Sequence, residues 1–303
     1  MIALLLLTLQ TSRPTETVSV KKGLAEAFGA RARAGEGPFW IGYQVPAVPG
    51  TSCSCGDWDG DDQGVESPFV RILYRVVSGR VEKIRTATGR CPTLTPLVLF
   101  EDVDPRESVR LLESLLAGAT GKGALAAIAL HDIAEVDPIL ERHLAKEDPL
   151  RKDAAFWLGQ ARGERGASDL LRLVKEDPLP SFREHVIFCL TLSRSSRALP
   201  AIVERAHADE DPHVRSQALF WLGQKAGRLA EAAIEDALKG DPNIEVKKKA
   251  VFALSQLPNR AGVPLLIQAS KDHPEIRKEA IFWLGQSADP RALAYFQEVL
   301  GVR

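Results

Sequence analysis

Apolar positions fall in two patterns along this chain. Between Phe39 and Phe100 they come in short dense or alternating runs, and beyond Gly118 they recur at helical spacing. The first pattern predicts a strand at Phe39–Val45, then a hairpin of Phe69–Val77 and Val81–Thr88 joined by Ser78-Gly79, and a further strand at Leu97–Phe100. A helix is expected over Lys21–Ala34, stopped by Gly35 and Pro38, and another over Pro105–Leu116. In the second of these Asp104 is the expected N-cap, and Pro105 sits where its missing N–H costs nothing. Residues 16–117 therefore read as a small α+β domain with a β-hairpin, and 118–303 as five to six helical repeats.

The second half is self-similar. Phe156-Trp157-Leu158-Gly159-Gln160 returns as Phe220-Trp221-Leu222-Gly223-Gln224 and Phe282-Trp283-Leu284-Gly285-Gln286, with degenerate copies at Phe188 and Phe252. The phenylalanines are 32, 32, 32 and 30 residues apart, and an older copy, Ile128-Ala129-Leu130, lies 28 before the first. Five residues ahead of each Phe stands a base (Arg151, Arg183, Arg215, Lys247, Arg277), preceded each time by an apolar residue. Asp-Pro marks the turn before four of these, at Asp148, Asp177, Asp211 and Asp241. Each unit is thus two helices around an Asp-Pro turn. Such a pair cannot bury its apolar faces alone, so neighbours must stack into a solenoid with one continuous core.

The turn Asp, the apolar-basic pair such as Val214-Arg215 and the Ala218 to Gly223 spacing resemble the HEAT family, in particular its short PBS-lyase type repeats, over Lys122 to Val302. That resemblance implies a mainly α fold, a right-handed α-α superhelix preceded by the small α+β domain. The overall layout, with Pro38-Phe39-Trp40-Ile41-Gly42-Tyr43 in a Cys-bearing domain ahead of the repeats, is similar to uncharacterised exported bacterial HEAT-repeat proteins. It implies a setting and no activity, because fold does not carry function.

The repeated side chains have two readings. Along one position run Trp157, Cys189, Trp221, Ala253 and Trp283, large and small in alternation, which favours dense packing between neighbours over an aromatic ladder for a ligand. The bases Arg151, Arg183, Arg215, Lys247, Lys248 and Arg277 are candidates for gripping an acidic partner on the concave face. Equally, those at the turns are placed to hydrogen-bond a turn carboxylate or helix carbonyls and tie repeats together. Gln160, Gln224, Gln256 and Gln286 are expected to satisfy backbone groups at helix ends.

Ile2–Leu9 is too short an apolar run to span a bilayer, so no stable membrane insertion is expected. It matches a signal-peptide core, making 1–15 a candidate leader and the protein a candidate for the periplasm or cell surface, although no Lys or Arg precedes the run and no Ala-x-Ala follows. A cytosolic assembly scaffold is the alternative. Cys53, Cys55 and Cys91 cluster in the small domain and fit a disulfide from Cys91 to Cys53 or Cys55; a zinc site there lacks a fourth ligand. Asp57, Asp59, Asp61 and Asp62 imitate a calcium loop, but Asp62 stands where Gly is needed and Pro68 where Glu is needed.

Composition narrows function further. The net charge is −1, without the basic excess that phosphate binding requires, so no nucleic-acid partner is expected. Gly118-Ala119-Thr120-Gly121-Lys122-Gly123 has the wrong spacing for a phosphate loop and no Ser or Thr after the Lys. No nucleophile elbow or zincin motif occurs, and the repeated His-Glu dipeptides of iron-binding HEAT-like hydroxylases are missing. No catalytic residue, metal or cofactor is assigned. The leading expectation is a non-catalytic scaffold that binds a protein or peptide; the competing class is a lyase-type or thiol-redox enzyme or accessory factor with chemistry around the cysteines.

Overall fold

The computed structural model describes residues 15–20, 23–53, 66–88, 94, 96–225 and 227–301. The expected leader (apart from Thr15), the acidic loop, Cys55 and Cys91 lie outside the described residues. The chain forms two compact units, 1–157 and 158–303.

The first unit holds β1 (Glu16–Ser19), α1 (Leu24–Ala34), β2 (Phe39–Pro46), β3 (Phe69–Val77), β4 (Arg80–Ala87), β5 (Leu97–Glu101), α2 (Pro105–Glu113), α3 (Gly121–Ala129) and α4 (Val136–Arg142). Its sheet has the order β1-β5-β2-β3-β4. β5 lies between β1 and β2 and is parallel to both, while β2, β3 and β4 are successively antiparallel. The β3–β4 hairpin forms as expected, with both turn residues at positive φ (Ser78 49°, Gly79 76°), the sense that matches strand twist. Leu24, Phe28 and Ala32, one helical turn apart, make the buried face of α1, and Phe28 meets the Tyr74 ring edge-on at 4.9 Å. Asp104 caps α2 by accepting from the Arg106 N–H at 2.7 Å. That helix ends at Glu113, short of the expected Leu116, because the Leu115 and Leu116 N–H groups turn to carbonyls three residues back.

The boundary between units falls inside α5 (Arg151–Ala161). The second unit continues with α6 (Gly163–Glu176), α7 (Pro180–Leu192), α8 (Ala198–Ala208), α9 (Pro212–Gly223), α10 (Arg228–Gly240), α11 (Ile244–Gln256), α12 (Val263–Asp272), α13 (Arg277–Gln286) and α14 (Pro290–Leu300). These are the expected helix pairs. They form two layers: α7, α9, α11 and α13 pack side by side, and α6, α8 and α10 pack against one another in the other layer, as do α12 and α14. Between the layers lies a core of Val186, Leu190, Leu219, Leu222, Val251, Leu254 and Leu266, all essentially without solvent contact.

Candidate functional site

Two of the turn bases, Arg183 and Arg215, are embedded in the joints between repeats. The Arg183 Nε and Nη2 donate to both carboxylate oxygens of Asp209 at 3.0 and 2.8 Å, and Nη1 donates to the Asp177 carbonyl at 2.8 Å. Arg215 repeats this one unit later: Nε and Nη2 to Asp241 at 2.6 and 3.0 Å, and Nη1 to the Asp209 carbonyl at 2.8 Å. Both side chains are almost wholly buried, and their carboxylates hold the arginine pKa values above the ordinary one. Each carboxylate also accepts the backbone N–H two residues on: Asp177 from Leu179, Asp209 from Asp211 and Asp241 from Asn243. That geometry tolerates Pro at the skipped position, as at Pro178 and Pro242, because the bond goes to the second residue and needs no N–H from the first; after Asp209 the skipped residue is Glu210.

The remaining candidates differ. Arg151 is buried and donates to the Leu144 carbonyl at 2.9 Å. Lys247 pairs with Glu275 at 3.0 Å and Lys248 with Glu245 at 2.9 Å, both near the surface. Arg277 is exposed and donates to the Ser270 carbonyl at 2.7 Å. Of the six bases assigned to a partner, then, Arg151, Arg183 and Arg215 are held inside the protein. Gln256 donates to the Ser255 hydroxyl and not to a helix-end carbonyl; the Ser255 hydroxyl in turn donates to the Phe252 carbonyl.

What the second-helix layer does present is a row of rings. Phe188 meets Trp221 at 5.2 Å, Trp221 meets Phe220 at 5.0 Å, and Phe220 stacks on Phe252 at 6.1 Å. Phe252 meets Trp283 at 5.1 Å and Trp283 meets Phe282 at 5.1 Å. All are half-buried except Phe282, which is 56% exposed. The Lys249 ammonium lies over both Phe220 and Phe252, at 5.9 and 5.3 Å. At the small residues of the alternating series a glycine of the preceding motif lets the backbone approach closely. A Cβ on Gly159 would lie 2.4 Å from the Cys189 carbonyl oxygen, and one on Gly223 2.8 Å from that of Ala253. Cys189 is fully buried, and burial pushes its thiol pKa up to about 12.

In the first unit the structure joins four polar side chains that the sequence leaves scattered. Tyr74 hydroxyl meets Tyr43 hydroxyl, Tyr43 meets Ser108 Oγ at 2.8 Å, and Ser108 meets His131 Nε2 at 2.8 Å. None of the four is exposed. His131 Nδ1 faces the Ala127 carbonyl at 2.8 Å and must donate there. In the neutral ring Nε2 then accepts from Ser108, which accepts from Tyr43, which accepts from Tyr74. Burial raises both tyrosine pKa values, so all the hydroxyls keep their protons. Among the described residues Cys53 has no disulfide partner; it is half-buried, and burial raises its thiol pKa. Its backbone pairs with Thr88. The phosphate-loop imitation resolves into packing: a Cβ at Gly121 would strike the Leu116 carbonyl at 2.2 Å, and one at Gly123 would crowd Ile84.

Among the described residues no group of His, Cys, Asp and Glu is arranged to hold a metal, and no helix is long and apolar enough to cross a membrane. No curated protein matches the chain. One solved structure, human deoxyhypusine hydroxylase in complex with glycerol, aligns over 60% of this chain and 74% of that one, at 20% identity and a TM-score of 0.35. So distant a likeness bears on neither activity nor site. The family model for HEAT repeats matches residues 136–223 and 231–302, more than half of the sequence. With the paired helices and their two layers, this makes the chain a member of the HEAT-repeat family.

Proposed function

We propose that this protein is a non-catalytic scaffold whose repeats bind a protein or peptide partner along the second-helix layer. The observation that carries the reading is the aromatic row from Phe188 to Phe282, half-open to solvent and flanked by Lys248 and Lys249. Rings already ordered by their neighbours offer apolar area at low entropic cost, and lysines at the edge suit acidic residues beside the partner's apolar anchors. The buried arginines act one step back, fixing the spacing of the helices that carry the rings. In the same reading the leader is removed on export, and Cys91 bridges to Cys53 or Cys55; support for a Cys53 bridge is that its backbone pairs with Thr88, three residues before Cys91.

The test is affinity capture from the native cell with the full chain and with a Phe220→Ser/Phe252→Ser variant of unchanged helicity. A stoichiometric partner held by the parent and lost by the variant is expected, with mass spectrometry of the bait finding a trimmed amino terminus and one disulfide. A partner held equally by both would move the site off the aromatic row. An intact, fully reduced bait would end the export reading.

A further inference from the structure

We infer that the partner held on the aromatic row is an extended peptide whose main chain is bonded by the side-chain amides of Gln224, Gln256 and Gln286. One of its bulky side chains enters a cleft between the last two of these, and one of its carboxylates meets Lys249. The inference rests on the row as the docking surface and goes further by fixing what binds there.

Glutamine stands four residues after the motif phenylalanine in three successive repeats: Phe220 and Gln224, Phe252 and Gln256, Phe282 and Gln286. Four residues is about one helical turn, so each amide shares the face of its helix that carries the ring. Because α9, α11 and α13 pack side by side, the three amides run alongside the rings. At α7 the same position holds Leu192, and the amide row stops. Their place at helix ends predicts that these amides serve backbone groups of their own chain, and they do not. All three residues are exposed. Among the described residues Gln224 and Gln286 form no side-chain hydrogen bond, and Gln256 uses one N–H on the Ser255 hydroxyl at 3.0 Å.

A primary amide carries donors and an acceptor, the complement of a peptide unit. From Phe220 to Phe252 the rings of neighbouring repeats step by 6.1 Å. Side chains two residues apart on an extended chain step by about 6.6 Å, and successive turns of a helix by about 5.4 Å, so both shapes follow the rings. The amides separate them. A helix has its N–H and C=O groups already paired, whereas an extended segment offers one of each per residue. Between Gln256 and Gln286 opens a cleft of about 270 Å³, walled by Trp283, Val263 and Leu266 and edged by Arg260. Small-molecule sites run from about 300 to 1,000 Å³, so a single side chain of the peptide is the better fit. Charge gives the last element. Lys248 is paired with Glu245, but the Lys249 ammonium lies over Phe220 and Phe252 and meets no described carboxylate.

The probe is a display library of random twelve-residue peptides, selected on the full chain and counter-selected on the Phe220→Ser/Phe252→Ser variant. Enriched peptides are expected to carry apolar residues at alternate positions with Asp or Glu beside them. One such peptide, labelled with fluorescein and titrated by anisotropy, loses affinity at least about tenfold on a Gln224→Ala/Gln256→Ala chain, and as much when its main-chain nitrogens are methylated at alternate residues in one register. Lys249→Glu turns the selection from acidic to basic peptides. Gln224 and Gln256 are exposed, so their double variant keeps the parent's circular dichroism and urea midpoint. Enriched peptides with apolar residues at helical spacing, or with binding indifferent to the amide variant and to methylation, overturn the inference and leave the aromatic row standing. No peptide enriched on the parent over the ring variant overturns both.

Discussion

Replacing Arg215 by Ala isolates what the buried ion pairs contribute. The guanidinium makes two bonds to Asp241, at 2.6 and 3.0 Å, and one to the Asp209 carbonyl at 2.8 Å. The substitution strands an Asp241 side chain that is 5% exposed, with only the Asn243 N–H still donating to it. Removing one partner of a buried pair costs about 3–5 kcal/mol, most of it the penalty of the uncompensated charge. Arg215→Lys keeps the charge but not the two-pronged geometry, and is expected to lose about 1–3 kcal/mol. A double Arg215→Met/Asp241→Leu variant removes the stranded charge and should recover most of the loss. Urea unfolding followed by circular dichroism measures all three, with hydrogen exchange to localise the change because repeat arrays depart from two-state behaviour. If Arg215→Ala falls within about 1 kcal/mol of the parent, the pair behaves as an exposed one and the argument from burial fails. A double variant no better than the single would show that the loss comes from missing attraction and not from a stranded carboxylate.

Three further outcomes follow from the same structure. Ala253→Trp extends a side chain whose Cβ already lies 3.1 Å from a Cβ placed on Gly223, and should cost about 1–3 kcal/mol or more in the same urea assay. Ser108→Ala takes the middle link from a fully buried chain of hydroxyls and leaves His131 Nε2 without its Ser108 donor. A loss of about 1–3 kcal/mol is expected, and a neutral result would deny the network a structural role. Acid should loosen the last repeats first. Glu275 is held at about 2, below its ordinary 4.5, by its own backbone N–H and then by Lys247. Asp289 is held at about 2, below 3.8, by the Arg291 guanidinium and then the Arg291 N–H. Both values are depressed, so the unfolded chain binds protons first; stability is complete above pH 4.5 and lost as the pH falls towards 2. Neutralising Glu275→Gln and Asp289→Asn together should flatten the urea midpoint across that window.

The repeats are legible in the sequence because one motif recurs at a fixed interval, and stacking forces each copy to solve the same packing problem. Phe, Gly and the turn base each hold one place in the motif, so comparing copies narrows their roles. Asp209 escapes that comparison. Asp211-Pro212 looks like the turn of its repeat, yet the residue that meets Arg183 lies two positions earlier, and Asp211 instead caps α9. The even 32-residue spacing of Asp177, Asp209 and Asp241 is the signal that would have found it. β1 leaves less to see: four residues with one Val gain their strand character from pairing with β5, some eighty residues away. The Tyr74–Tyr43–Ser108–His131 chain is hidden for the same reason, since its members come from β3, β2, α2 and the end of α3. Local pattern encodes which face of an element is buried; it does not encode which polar groups meet across elements.

The repeated base shows how one sequence position carries different physical weight along an array. At Arg183 and Arg215 a rigid planar fork meets a buried carboxylate, and each joint between repeats is closed on both sides. At Lys247 a single ammonium reaches Glu275 in a more exposed setting, where water screens the pair. At Arg277 the same Nε–Nη2 edge donates to the Ser270 and Lys271 carbonyls of its own repeat. Since each repeat touches only its neighbours, joint strength is a local property and need not be averaged over the solenoid. The sequence places its firmest joints between α7 and α11, along the helices that carry Phe188, Phe220 and Phe252. A surface that must present rings in fixed register benefits from that arrangement.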